Sequence, residues 1–174
     1  MSERMKLSER INVMLFHFDQ RLGPRLLFNI AETTDDRITA ALTRLMDFNF
    51  LQEMKAFVNA MANVVYSSMF FSIPNPLARG GIEQFMLSVV VFDPTITEYL
   101  TISSLEDEIS KTISKLITLS EMLVIVTEAK PTIDEYPEVA HCMQELKDKV
   151  IAMFQEIFYG EIEGGQDAIS EVLR

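Results

Sequence analysis

The sequence predicts an α/β domain of the α+β type: a mainly antiparallel sheet with helices on both faces. Three observations predict it. Short apolar runs at 11–18, 64–73 and 84–93 read as strands, and the first is apolar on both faces, as a strand covered on both sides must be. Two long stretches, opening at Ser103 and Pro137, repeat apolar residues at helical spacing. The order of elements is strand, strand, helix, two or three strands, helix, helix, which suits a meandering sheet rather than a parallel one.

Ile11, Val13 and Leu15 share one face of the first strand, and Met14, Phe16 and Phe18 the other. After Asp19 comes turn chemistry: Gly23 accepts positive φ, and Pro24 has no N–H to give a ladder. Residues 25–30 form the second strand of a hairpin. Thr33 or Thr34 opens a helix, with Asp35 and Asp36 in the first turn where the helix dipole favours acids. Its stripe is Ile38, Leu42 and Leu45, and its expected end is near Asp47.

Residues 48–62 fit two readings, a continued helix or a short strand within KAFVNAM. From Val64 to Ile73 the pattern is a strand, stopped by Pro74-Asn75-Pro76, with LARGG as a loop. Residues 84–93 form the strongest strand. Residues 98–104 form either a further strand or an irregular lead-in. Ser103 to Glu106 fits a capping box. The helix it starts has the stripe Leu105, Ile109, Ile113, Leu116 and Leu123, and ends at Pro131. The last helix has Pro137 in its first turn, the stripe Val139, Met143, Leu146, Val150, Phe154 and Ile157, and a stop at Gly160. A short terminal helix is expected over residues 167–173. The chain divides into a polar lead at 1–10, one domain at 11–159 and an acidic tail at 160–174.

Charge and composition narrow the function. The 174 residues carry 26 acids and 15 bases, a net charge of −11. Residues 1–93 hold 9 bases and 10 acids, which leaves 6 bases and 16 acids, net −10, for residues 94–174. That acidic half argues against nucleic acid, whose phosphates need a basic surface. It likewise argues against an anionic membrane meeting that half. A small basic patch in the first half, with Arg21, Arg25, Arg37 and Arg44, is compatible with the charge. Residues 56–78 carry no charge, but their asparagines, serines and prolines are too polar and too broken for a membrane span. The polar, charged start lacks a secretory h-region, so the expected location is the cytoplasm.

No catalytic constellation emerges. One cysteine excludes an internal disulfide and a cysteine zinc cluster. The glycine pairs Gly80-Gly81 and Gly164-Gly165 lack phosphate-loop spacing. His141 and Cys142 are helix neighbours that face different ways, which argues against a catalytic pair. Acids at the helix starts serve the dipole rather than a cation. The expectation is no enzyme activity, no cofactor and no metal. The many methionines and phenylalanines lie on the apolar stripes and read as core.

VMLFHFDQRLGPRLLF resembles the opening hairpin of longin-type domains, especially those of nitrogen-permease-regulator and folliculin-like proteins. Phe18, Asp19, Gly23 and Pro24 carry the match. FFSIPNPLARGGIEQFMLSVVV is similar to a strand–ARGG–strand segment of uncharacterised archaeal proteins with the same hairpin. The resemblance implies a longin-like five-stranded sheet between one helix and a helix pair, the fifth strand coming from KAFVNAM or EYLTISS. It also implies a non-catalytic module that binds a small Ras-like GTPase or a sibling longin or roadblock domain, in membrane trafficking or signalling, with a homodimer as one form. The rival readings are a small-molecule sensor or enzyme, and a structural subunit of a larger complex.

Gly23 and Pro24 are expected as structural turn residues. Arg21 and Arg79 on tight loops, with Arg25 at the start of the second strand, suit an acidic partner, although exposed arginine also serves solubility alone. Ser67, Met69 and Phe71 are expected to contribute to an interface if Val64–Ile73 is an edge strand. If that strand is central, the same pattern reflects burial.

Overall fold

A computed structural model describes residues 7–31, 35–49, 56–61, 64–92, 102–128 and 132–162. Five strands make one antiparallel sheet: β1 (Ile11–Asp19), β2 (Gly23–Asn29), β3 (Ala56–Met61), β4 (Val64–Pro74) and β5 (Ile82–Val91). Their spatial order is β2-β1-β5-β4-β3. Helix α1 (Asp36–Asn49) covers one face. On the other lie α2 (Ile102–Thr118), α3 (Ser120–Glu128) and α4 (Pro137–Ile162).

The two-sided apolar pattern of β1 becomes two cores. Ile11, Val13 and Leu15 pack with Phe85, Leu87 and Val89 under the helix stripes Leu105, Ile109, Ile113 and Val139, Met143, Leu146, Val150, Phe154. Met14 and Phe16 join Tyr66, Phe70, Met86 and Val90 beneath Ile38, Leu42 and Met46 of α1. A helical stripe buries one side of each helix, whereas β1, β4 and β5 bury both sides, so the sheet is the middle layer.

The opening hairpin forms as its turn residues dictate. Gly23 sits at φ +82°, a region costly for residues with a Cβ. Pro24 lies in the edge strand β2 opposite Phe18, where its missing N–H breaks no central ladder. A Cβ at Gly23 would meet nothing within 4 Å, so only the backbone resists substitution. Gly23→Ala is expected to cost about 1–2 kcal/mol and Gly23→Val more, read from thermal melts. Equal, negligible effects would show that the turn relaxes to negative φ.

Several expectations are corrected. The strand reading of residues 56–61 holds, and the helical alternative for that segment is overturned because Ala56–Met61 pairs antiparallel with Val64–Met69. Within residues 98–104, Ile102 to Ser104 are helical, and residues 98–101 lie outside the described residues. Helix α2 starts one residue before Ser103, which places that serine inside the helix rather than at its cap. The expected single helix to Pro131 breaks at Leu119, whose N–H bonds the Leu116 carbonyl at 3.0 Å, a tightened turn. The Thr118 hydroxyl donates to the Lys115 carbonyl at 2.6 Å, competing for the helix-end acceptor. Helix α4 runs past Gly160 to Ile162, since a glycine ends a helix only where it takes a left-handed cap. The terminal helix expected over 167–173 lies outside the described residues.

The largest correction concerns β4. It pairs with β5 on one side and β3 on the other, so it is no edge. Ser67, Met69 and Phe71 are buried, and the Ser68 and Ser88 hydroxyls share a 2.7 Å hydrogen bond inside the sheet. These side chains belong to the core and not to an interface. Freedom from charge in this strand reflects burial on both faces, which excludes charge as strongly as an interface does.

Candidate functional site

The β1–β2 loop and the β4–β5 loop emerge at the same end of the sheet, because β1 and β5 are antiparallel neighbours. Each loop is built on an acid or amide side chain that folds back on its own turn. Asp19 Oδ1 accepts the N–H groups of Arg21 at 2.8 Å and Leu22 at 3.1 Å. Burial opposes the charged form of Asp19, but those two amides, with Arg25 nearby, outweigh it and hold the carboxyl below its usual value. In the second loop Asn75 Oδ1 accepts the Leu77 N–H at 3.0 Å, and the Asn75 carbonyl accepts that of Ala78 at 3.0 Å. Gly80 and Gly81 take positive φ, which lets the chain return tightly into β5.

The loops are tied to each other. Gln20 Nε2 donates to the Arg79 carbonyl at 2.8 Å, and the Arg79 N–H donates to Gln20 Oε1 at 2.9 Å. One amide thus satisfies both polar groups of a residue 59 positions away and sets the two tips side by side. Leu22 is 79% exposed and Leu77 88% exposed at the two apices, with Arg21 and Arg79 exposed beside them.

Beneath the tips lies a buried polar cluster. His17 on β1 and Glu83 on β5 meet at 2.6 Å between Nε2 and Oε2. Asn75 Nδ2 donates to the other oxygen, Glu83 Oε1, at 2.9 Å. Burial pushes the His17 imidazole below its ordinary value, against the opposing pull of Glu83. Nε2 hydrogen-bonds the Glu83 carboxyl group, and buried Nδ1 has no partner among the described residues. The ring also packs against Phe85, centroids 5.2 Å apart.

Of the expected contact residues, Arg21, Arg25 and Arg79 come together at this end. Arg25 is half-buried, its Nε 3.9 Å from Asp19 Oδ2, while Arg21 and Arg79 face outward. Ser67, Met69 and Phe71 stay in the core. Sequence reasoning missed Gln20, Asn75, His17 and Glu83. A local signal existed only for Asn75 and Asp19, whose side chains suit Asx turns. The partners of Gln20 and His17 are far along the chain and leave no local mark.

An open groove of about 530 Å³ lies between α2 and α4, lined by Lys115, Leu119, Pro137, His141, Cys142 and Glu145. Within it Lys115 Nζ meets Glu145 Oε2 at 2.6 Å, His141 Nε2 lies 3.8 Å from Glu145 Oε1, and Glu138 lines it as well. Burial pushes the Cys142 thiol up, which makes it a poor nucleophile. Among the described residues no cluster of three metal-ligating side chains occurs, and no helix is long and apolar enough to cross a membrane.

No family profile and no curated protein matches the chain. The structure does resemble a solved one, the Lst4 longin domain of K. lactis, with a TM-score of 0.54 and 13% identity. The match covers 83% of this chain and 99% of that domain. At that identity the likeness concerns backbone architecture alone. This chain has a longin-like fold.

Proposed function

We propose that this domain is a non-catalytic interaction module of longin type. It binds a small Ras-like GTPase or a sibling longin or roadblock domain, a second copy included, in the cytoplasmic regulation of trafficking or signalling. The observation that supports this reading is the difference between the two sheet edges. Edge strand β2 is defended: Pro24 removes a donor, and the register shifts between Leu15 and Phe16, leaving Leu27 as an extra residue. Edge strand β3 has neither device. AFVNAM holds no charge and no proline, and among the described residues only β4 pairs with it. Its outer N–H and C=O groups suit a strand from another domain. Two copies of β3 paired antiparallel would also bring no like charges into opposition within the strand.

Asn59→Lys places a charge on that edge in exchange for a polar residue. The variant is expected to keep the wild-type circular dichroism spectrum. It should lose the wild type's dimer in light scattering or its binding to Ras-like GTPases immobilised in both nucleotide states. A wild type that stays monomeric at high concentration and binds none of these partners would defeat the proposal.

A further inference from the structure

The paired tips point to a different kind of partner. Many of their backbone N–H groups are already satisfied from within. In the β4–β5 loop the N–H groups of Asn75, Leu77, Ala78, Arg79 and Gly81 all bond inside the protein, and Pro74 and Pro76 have none. In the β1–β2 loop Asp19 engages the N–H groups of Arg21 and Leu22. Most loop tips depend on water for these donors, so burial in an apolar medium strands them. Here those donors keep their bonds when the tips are buried. The local carboxylates are also turned inward. Asp19 caps its own turn, and Glu83 is buried with His17 and Asn75. The outward charge beside Leu22 and Leu77 is therefore that of Arg21 and Arg79.

We propose that this end of the sheet docks on an anionic phospholipid surface. Leu22 and Leu77 enter the boundary between headgroups and acyl chains, and Arg21 and Arg79 meet the acidic headgroups. Two leucines protruding from convex loops fit a deformable apolar medium without needing matched pockets, which favours a bilayer over a protein. The acidic half of the chain is repelled by such a surface, but at physiological salt that repulsion is screened beyond about 8 Å, while the tips act in contact. Docking at the tips leaves edge strand β3 free, so this site is independent of the strand-edge reading above.

The test is co-sedimentation of the full chain with phosphatidylcholine vesicles, with and without phosphatidylserine. The wild type is expected to bind the phosphatidylserine vesicles and to bind more weakly as salt rises. Changing both Leu22→Ser and Leu77→Ser should weaken partitioning about 100-fold, roughly tenfold for each leucine. Changing both Arg21→Gln and Arg79→Gln should weaken it about 25-fold, roughly fivefold for each charge. These exposed positions leave the core untouched, so unchanged circular dichroism accompanies the loss. Asn59→Lys should bind vesicles like the wild type. Inorganic phosphate at matched ionic strength should not release the protein; full release would reassign the site to a free anion and overturn the proposal. So would equal binding to vesicles without phosphatidylserine, wild-type binding by the leucine variant, or no vesicle binding at all. Leucine-dependent capture of a Ras-like GTPase without vesicle binding would reassign the tips to a protein.

Discussion

Phe85→Ala is expected to destabilise the domain by about 3–5 kcal/mol, a large part of the roughly 5–15 kcal/mol that holds a domain of this size together. Phe85 is fully buried in β5, opposite His17 on β1 and Phe71 on β4. Its ring stacks on Phe71 with centroids 5.2 Å apart and planes 17° from parallel, and it packs against His17 at the same separation. Truncation therefore removes apolar burial and an aromatic pair at one stroke, and it opens a cavity between strands that are hydrogen-bonded on both sides and cannot collapse freely. Phe85→Leu retains much of the volume and should cost about half as much. Urea unfolding monitored by circular dichroism gives both values, provided the m-value is unchanged. A loss below about 1 kcal/mol for the alanine variant would mean that the site repacks and that this ring is not central to the core.

Glu83→Ala should cost about 2–4 kcal/mol, because it orphans the His17 Nε2–H and the Asn75 amide at once in a buried setting. Glu83→Gln should cost less. Its single carbonyl can serve only one of those two donors. The same cluster sets a pH dependence. The folded imidazole titrates below its unfolded value of 6.5, so the unfolded chain binds more protons in that interval and acid favours unfolding. Stability is fully present above 6.5 and falls as pH drops toward the depressed folded value. Asp19, Asp35, Glu108 and Glu145, whose carboxyls are also held below their usual values, add losses only at lower pH, beneath the ordinary carboxylate range. Denaturant unfolding across a pH series should show the upper limb, and His17→Gln should flatten it while leaving the acid limb in place. An unchanged slope in that variant would assign the proton uptake to another group.

Both predictions involve His17, whose partners Glu83 and Phe85 lie far along the chain, and this separates what was legible from what was not. The alternation of Ile11, Val13, Leu15 against Met14, Phe16 identified β1 as a strand covered on both sides. The stripes on α1, α2 and α4 likewise named most of the buried apolar residues of each helix, among them Ile38, Leu42, Ile109, Ile113, Met143 and Phe154. On α1, however, the stripe took half-buried Leu45 where the buried residue is Met46, and on α4 it passed over buried Cys142. The short match at Phe18, Asp19, Gly23 and Pro24 was enough to point to the longin-like architecture. Arg21 and Arg79 were singled out as loop residues, and both prove exposed, whereas Arg25 lies half-buried in β2.

The role of Val64–Pro74 was not legible in the same way. An uncharged strand reads alike whether it waits for a partner or is already enclosed, because strand pairing uses backbone groups that every residue carries. Nor did Ala56–Met61 announce itself as a strand, since its local propensities suit a helix equally and its pairing with β4 decides the matter. Gln20 meets Arg79 across 59 residues and His17 meets Glu83 across 66, so no window along the sequence contains either pair. Periodicity by itself determined most of the buried apolar side chains of β1 and the helices, because that burial follows from the repeat of a single element. Only the tertiary structure decided which strands are edges and which polar groups converge. Those depend on the order in which the strands assemble, which brings together residues that the chain keeps far apart.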